Sequence, residues 1–311
     1  MTVVVTGVSS FVGCHLARHF ASRGAKVVGT ISRGRDAYAG IAAERLAVLD
    51  GQIEFATLDL RNEAGIADVI QKVAPSLWIH HAGFAEGYAS PDYDMVQAES
   101  INVVPLAALY RGLAGGPCGV IITGSSAEYG DSDSANREDD PALPTMPYGL
   151  SKRAETARAG ELAERYGVST RVARLFIPFG RLDNPGKLVA QAVTKLRAGV
   201  VVALSPCRQR RDFVGVGDIC DGYERLRADL GRARFDVFNI ASGRGVMLKD
   251  FLIEIAHRLS TPESLLQFGA IPMRVGEPEI SYADIGKAKR ILGFAPTPLD
   301  LAIERELLAF G

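Results

Sequence analysis

Short runs of β-branched and apolar residues alternate along this chain with stretches whose apolar positions recur every three or four residues. Residues 2–6 read Thr-Val-Val-Val-Thr, a run continuous enough for a strand covered on both faces. Comparable runs at 26–31, 53–58, 77–81, 119–123 and 170–176 predict five further strands. Between them, spacings of three and four predict helices: Val12, Leu16, Ala17 and Phe20 form one stripe, closed by Gly24. The stretches 64–73, 91–112 (with Asn102 and Pro105 inside it) and 147–166 read the same way. Strand and helix alternating at this spacing predict an α/β fold, a doubly wound parallel sheet with right-handed crossovers. After residue 176 the pattern loosens, with helices at 218–230 and 248–259, a strand at 235–240 and a last short helix at 283–292. The expected division is a first domain over 1–176, to which 212–241 return, and a smaller interleaved lobe over most of 177–311.

Composition changes this picture little. The 311 residues are 47% hydrophobic and 23% charged with a net charge of −1, which gives no support for nucleic-acid binding. No apolar run reaches membrane-spanning length, so no membrane partner is expected. The start, Met1-Thr2-Val3-Val4-Val5, lacks the basic segment and cleavage site of a signal peptide, and a cytoplasmic protein is expected. Cys14, Cys118, Cys207 and Cys220 show no paired spacing and no histidine cluster nearby; they read as reduced thiols, with neither disulfide nor metal site. His80 and His81 are adjacent, so on a strand they face opposite sides and read as structural.

Candidate chemistry gathers at predicted strand ends. After the first strand, Gly7-Val8-Ser9-Ser10-Phe11-Val12-Gly13 makes a glycine-rich turn into a helix, whose free N–H groups suit a diphosphate. After the second strand comes Ser32-Arg33-Gly34-Arg35 with no carboxylate, a basic pair that suits the 2′-phosphate of NADP, or else a solvated loop. Tyr148 and Lys152 are four apart, on one face of a helix. The lysine's charge favours a phenolate, so the tyrosine's pKa is expected to fall and the phenol to exchange protons with an alcohol oxygen. Taken alone, the same pair also reads as a surface pair on an amphipathic helix.

With these residues assembled, the chain resembles the extended short-chain dehydrogenases/reductases, and within them the NAD(P)-dependent sugar-nucleotide epimerases, dehydratases and reductases. The turn from Thr6 to Gly13 matches the family's Thr-Gly-x-x-Gly-x-x-Gly, with Ser10 for the middle glycine. By that resemblance Gly7, Ser9, Ser10, Phe11, Val12 and Gly13 bind the cofactor, as do Arg33 and Arg35, with Asp59 and Leu60 at the adenine and Ala82 and Gly83 beneath it. Ser126, Tyr148 and Lys152 match the catalytic set, the last two also touching the cofactor. Arg211, in Arg-Asp-Phe-Val, and Arg274, in Arg-Val-Gly-Glu, match motifs that hold the substrate's diphosphate. Ser125, Ser126, Glu128 and Lys187 are implied as further substrate contacts. One departure is Ile177, where the family carries a hydrogen-bonding asparagine.

The resemblance implies a nucleoside-diphosphate sugar substrate, NADP(H) in preference to NAD(H), and a homodimer built on 91–112 and 147–166, with Met95, Leu106, Leu109 and Leu162 as its apolar residues. The run Gly124-Ser125-Ser126-Ala127-Glu128-Tyr129-Gly130 looks most like the reductases of 4-keto-6-deoxyhexoses. A 4-epimerase remains open, and so does a 4,6-dehydratase, in which Glu128 pulls off a carbon-bound proton; the plain alternative for Glu128 is a surface carboxylate. A non-enzymatic NADP sensor on the same fold is the remaining alternative.

Overall fold

A computed structural model describes residues 1–130, 132–273 and 278–308. The chain separates into two compact units, one formed by 1–130, 141–175 and 220–238, the other by 131–140, 176–219 and 239–311.

The first unit opens with β1 (Thr2–Thr6), α1 (Phe11–Ser22), β2 (Lys26–Ile31), α2 (Gly40–Val48), β3 (Glu54–Thr57), α3 (Glu63–Val73) and β4 (Leu77–His80). It continues with α4 (Met95–Ala98), α5 (Leu106–Leu113), β5 (Gly119–Ser125), α6 (Pro147–Tyr166) and β6 (Thr170–Leu175). In the second unit come β7 (Ile177–Phe179), α7 (Leu188–Arg197), β8 (Val202–Leu204), β9 (Arg210–Arg211) and β10 (Phe213–Gly215). The helix α8 (Val216–Asp229) and the strand β11 (Phe235–Ile240) follow, then β12 (Val246–Met247), α9 (Leu248–Arg258), β13 (Leu266–Phe268), β14 (Ile280–Ser281) and α10 (Leu299–Ile303).

Seven strands form the main sheet in the order β11-β6-β5-β4-β1-β2-β3. All pairings from β6 to β3 are parallel, as the strand–helix alternation predicts. The order reverses between β1 and β4, and in open α/β sheets ligands bind at the carboxyl edge above such a switch point. The strands alternate faces. Val4, Trp78, Val120 and Ile122 pack with Leu106, Leu109, Tyr110 and Leu162 from α5 and α6 in one core cluster. Val3, Val5, Ile79 and Ile121 are fully buried and point the other way.

Local signals fix the helix ends that matter here. Ser10 caps α1 by accepting the Gly13 N–H at 3.1 Å. Pro147 begins α6, and Gly167, at φ 70°, ends it in the left-handed conformation. The helix expected over 91–112 starts only at Met95 and widens to a π turn at Glu99–Val103, immediately before Pro105. The proline cannot donate its backbone hydrogen bond, and the helix is interrupted there. The short helix expected at 283–292 is a π turn over Ala288–Leu292, and the helical segment behind Pro298, Leu299–Ile303 continued by a π turn over Glu304–Leu308, was not expected.

The second unit is built on small sheets: β7 with β10, β8 with β13, and β9 between β12 and β14. Its core joins α7, α9 and α10, with Phe213 stacked on Phe251 at 3.8 Å. Asp212 is its polar centre. The fully buried carboxylate accepts from Ser242 Oγ at 2.6 Å and from the N–H groups of Ser242, Gly243 and Ala283.

Candidate active site

The turn after β1 is closed by glycine where nothing else fits. Gly7 sits at φ 75°, and a Cβ there would lie 2.9 Å from the Ala82 Cα; one on Gly13 would lie 2.4 Å from the Gly7 carbonyl oxygen. Ser10 needs no such freedom, since its φ is −82°. Its hydroxyl caps the helix, which explains why a serine stands at the middle position. The Thr6 hydroxyl accepts the N–H groups of His81 and Ala82 at 2.9 and 2.8 Å, pinning the strand ends at the switch point. Arg45 donates to the Ser9 carbonyl at 3.1 Å, while Phe11 and Val12 are buried as the first turn of α1. This tight loop against a helix start, with Ala82 beneath it, suits a dinucleotide's diphosphate.

Arg33 and Arg35 both lie beyond β2, with different engagements. Arg33 lies over the Tyr38 ring at 4.7 Å, whereas Arg35 pairs with Asp50 at 2.6 Å and stacks over Phe55. A cleft of about 270 Å³ is lined by Arg35, Asp36, Ala43 and Leu46. Asp59 is held in a two-pronged pair by Arg61, whose hydrogen bonds keep its carboxyl below the usual range. Leu60 is in the core.

The loop after β4 is tied to α6 by Asn102, a residue placed by the sequence pattern inside the helix expected over 91–112. Its carbonyl accepts the Phe84 N–H at 2.7 Å, and its amide donates to the Phe84 carbonyl and the Ser151 hydroxyl, both at 3.3 Å. A Cβ on Gly83 would lie 3.0 Å from the Asn102 oxygen, so the loop runs directly over it. Tyr93 donates to the Phe84 carbonyl at 2.8 Å and meets Tyr148 edge to face, as does Tyr88.

Tyr148 and Lys152 share one face of α6, but the expected depression of the tyrosine's pKa is not what the structure shows. Burial pushes the phenol up, and the opposing Lys152 charge does not overcome it. Glu155 adds to that rise. This carboxylate is 1% exposed and forms an ion pair with the Lys152 ammonium, which is itself 9% exposed. Burial works against the Lys152 charge, but Glu155 and Tyr148 hold its pKa above the usual value. Burial likewise raises Glu155, to about 7.

The serine beside Tyr148 is also not the one expected. Ser125, at the end of β5, is the serine whose hydroxyl acts on the phenol, favouring its ionised form, and it accepts the Ala127 N–H at 3.1 Å; Ser126 begins a 3-10 turn one residue further on. Glu128 is not a surface carboxylate. It is fully buried, accepting the Ser125 N–H and the Arg174 Nε, each at 2.9 Å. Both oxygens are committed to holding the serine loop.

His80 is buried at the end of β4 and His81 follows directly after it. His81 meets the Thr123 hydroxyl at 2.9 Å, and Thr123 meets the Tyr223 hydroxyl at 2.6 Å. Burial and then Lys152 depress both rings, His80 to about 3 and His81 to about 4, so both are neutral.

Lys187 and Arg211 belong to the second unit. Lys187 is exposed at the start of α7. Arg211, expected on a diphosphate, is 8% exposed and donates to the backbone carbonyls of Arg210 and Pro278 at 2.8 and 2.7 Å. Arg274 lies outside the described residues. Ile177 pairs with Phe213 in the β7–β10 ladder.

Residues 3–241 match the model of the NAD dependent epimerase/dehydratase family. The chain is 23% identical over 309 residues to a UDP-glucuronate 4-epimerase of Thermodesulfobacterium geofontis, covering 98% of this chain and 93% of that one. It is 25% identical over 319 residues to a dTDP-4-dehydro-6-deoxy-D-allose reductase of a Streptomyces species, with 97% and 94% covered. Among solved structures it is similar to MoeE5 in complex with UDP-glucuronic acid and NAD, with a TM-score of 0.80, 23% identity, and 99% and 98% covered.

Proposed function

The chain belongs to the NAD-dependent epimerase/dehydratase family, enzymes of the extended short-chain dehydrogenase/reductase type, and from that premise we propose that it reduces a nucleoside-diphosphate 4-keto-6-deoxyhexose with NADPH. The observation that carries the reading is the state of Tyr148, a phenol kept protonated beside the Ser125 hydroxyl. Such a group gives a proton to a ketone oxygen as that oxygen gains charge. When bound, the nicotinamide supplies the hydride. Ser125 orients the carbonyl, Tyr148 protonates its oxygen, and Lys152 supports the phenol and holds the nicotinamide ribose. Gly7 through Gly13, with Ala82 and Gly83, take the diphosphate, and Arg33 with Arg35 favours the 2′-phosphate of NADP(H).

Dehydration needs a carboxylate free to remove a carbon-bound proton, and the engagement of both Glu128 oxygens speaks against it. The Streptomyces relative's name supports the reductase, whereas the Thermodesulfobacterium relative's favours a 4-epimerase as second reading. Cofactor use separates them. A reductase consumes one NADPH per alcohol formed; conversion of a nucleotide-linked sugar alcohol to its 4-epimer without net NADPH loss would establish the epimerase instead.

We also propose a homodimer built on α4 to α5 and α6. Leu106, Leu109 and Leu162, expected at its contact, are in the core of the protomer. The residues left over are Val96 at 80% exposure, Val104 at 53%, Leu150 at 43% and Met95 at 39%. An apolar face of this kind on two helices fits a two-fold contact, and light scattering of wild type against Val104→Asp tests it.

A further inference from the structure

Glu155 is a buried charge that neither the fold nor the reaction as described so far requires. It lies one turn beyond Lys152 on α6, inside the first unit's core rather than on the solvent face where such pairs usually stand. Burying a carboxylate is unfavourable, and an apolar side chain packs such a position at least as well. Its one described hydrogen bond is to the Lys152 ammonium. The groups that feel this pair come from every element around it: Tyr148 on α6 itself, Glu128 after β5, Tyr110 on α5, Tyr223 on α8, His80 and His81 at the end of β4, and Tyr93 before α4. Of these, Glu128 is paired with Arg174, and both histidines are neutral, so Glu155 is the group that offsets the lysine most.

We propose that Glu155 is a positioning residue that holds Lys152 and screens its charge from Tyr148, so that the site rests as a proton donor. A lysine left uncompensated turns its tyrosine toward phenolate, the form that takes a proton from an alcohol; a compensated one leaves the phenol, the form that gives a proton to a ketone. The inference rests on the reductive reading above, because only in that direction is a resting phenol the productive state. It also gives the bias a structural origin, a carboxylate three residues past the lysine.

The test titrates Tyr148 directly, without substrate. Tyrosinate absorbance of the full chain is followed against pH, and the Tyr148→Phe trace is subtracted to remove the other tyrosines. Glu155→Gln keeps the side chain's shape and removes its charge, so the Tyr148 midpoint moves acidward. Glu155→Asp keeps the charge but withdraws it by one methylene, and moves the midpoint less in the same direction; it carries the test if Glu155→Gln does not fold. A midpoint unchanged in the folded variants overturns the proposal, whatever the enzyme's turnover. NADPH consumption by the wild type is measured separately. A shifted midpoint in a protein that reduces no keto sugar would overturn the reductase reading and leave the role of Glu155 standing.

Discussion

Removing the Glu128 carboxylate should weaken the fold far more than it slows the chemistry. The side chain is fully buried, its Oε1 accepting the Ser125 N–H and its Oε2 the Arg174 Nε at 2.9 Å each, with Arg174 only 5% exposed. Breaking a buried pair by deleting one partner leaves the other charge uncompensated, at a cost of about 3–5 kcal/mol for Glu128→Ala. Glu128→Gln keeps one acceptor oxygen, on the Ser125 N–H, but turns its amide NH2 toward Arg174 and loses that charge-assisted bond, about 1.5–3 kcal/mol. At roughly 2.1 cal/mol/K per residue, 311 residues give an unfolding entropy near 0.65 kcal/mol/K, so each kcal/mol shifts Tm by about 1.5 °C. Calorimetry should therefore show Tm falling by about 5–8 °C in the alanine variant and about 2–5 °C in the glutamine variant. Turnover of the glutamine variant below its Tm should stay within a few-fold of wild type, because Ser125 keeps its backbone partner. The opposite result, an unchanged Tm with turnover reduced more than a hundredfold, would refute this reasoning and place the carboxylate on the substrate.

Tyr148→Phe should remove nearly all turnover while leaving NADPH affinity, measured by calorimetry, unchanged; Ser125→Ala should cost more turnover than Ser126→Ala, and the reverse order would return the role to Ser126. NADPH should bind more tightly than NADH, and Arg33→Ala should reduce that preference more than Arg35→Ala, because Arg35 already pairs with Asp50; equal affinities in the wild type would remove the basis for both. His80 and His81 are depressed to about 3 and about 4, so the unfolded chain takes up protons on them before the folded one does. Their contribution to stability is present above about pH 6.5 and is lost progressively as pH falls toward 4. His80→Leu should flatten that limb of a Tm-against-pH curve, and an unaltered slope would count against it.

Much of the sheet was legible because buried parallel strands advertise themselves as unbroken apolar runs: 2–6, 26–31 and 235–240 match their strands end to end. The glycine turn and the Tyr148–Lys152 pair were legible because their geometry depends on local spacing alone. What lay hidden depends on which side chains meet across the fold. Nothing local separates Ser125 from Ser126; the end of β5 and the start of the next turn decide which hydroxyl reaches Tyr148. Glu128 read as either catalytic or exposed until Arg174, 46 residues away, came beside it. The direction of the Tyr148 shift was missed because the lysine was read without the burial of the phenol, and without the carboxylate three residues further along the same helix.

The way the chain threads its two units bears on how it is made. It passes between them after residues 130, 140, 175, 219 and 238, so the first unit is completed only by segments that leave the ribosome late. Until 220–238 have emerged, β6 is an edge strand without its β11 neighbour, Thr123 lacks the Tyr223 hydroxyl, and the fully buried Arg171 lacks Asp229, which receives its Nε at 2.7 Å. A nascent chain that already holds the glycine turn, Tyr148 and Lys152 is thus an open sheet with an unpaired edge and a bare arginine, prone to association with other chains. Tyr148 and Lys152 are synthesised in the first half of the protein, but the scaffold that steadies them closes only in the second.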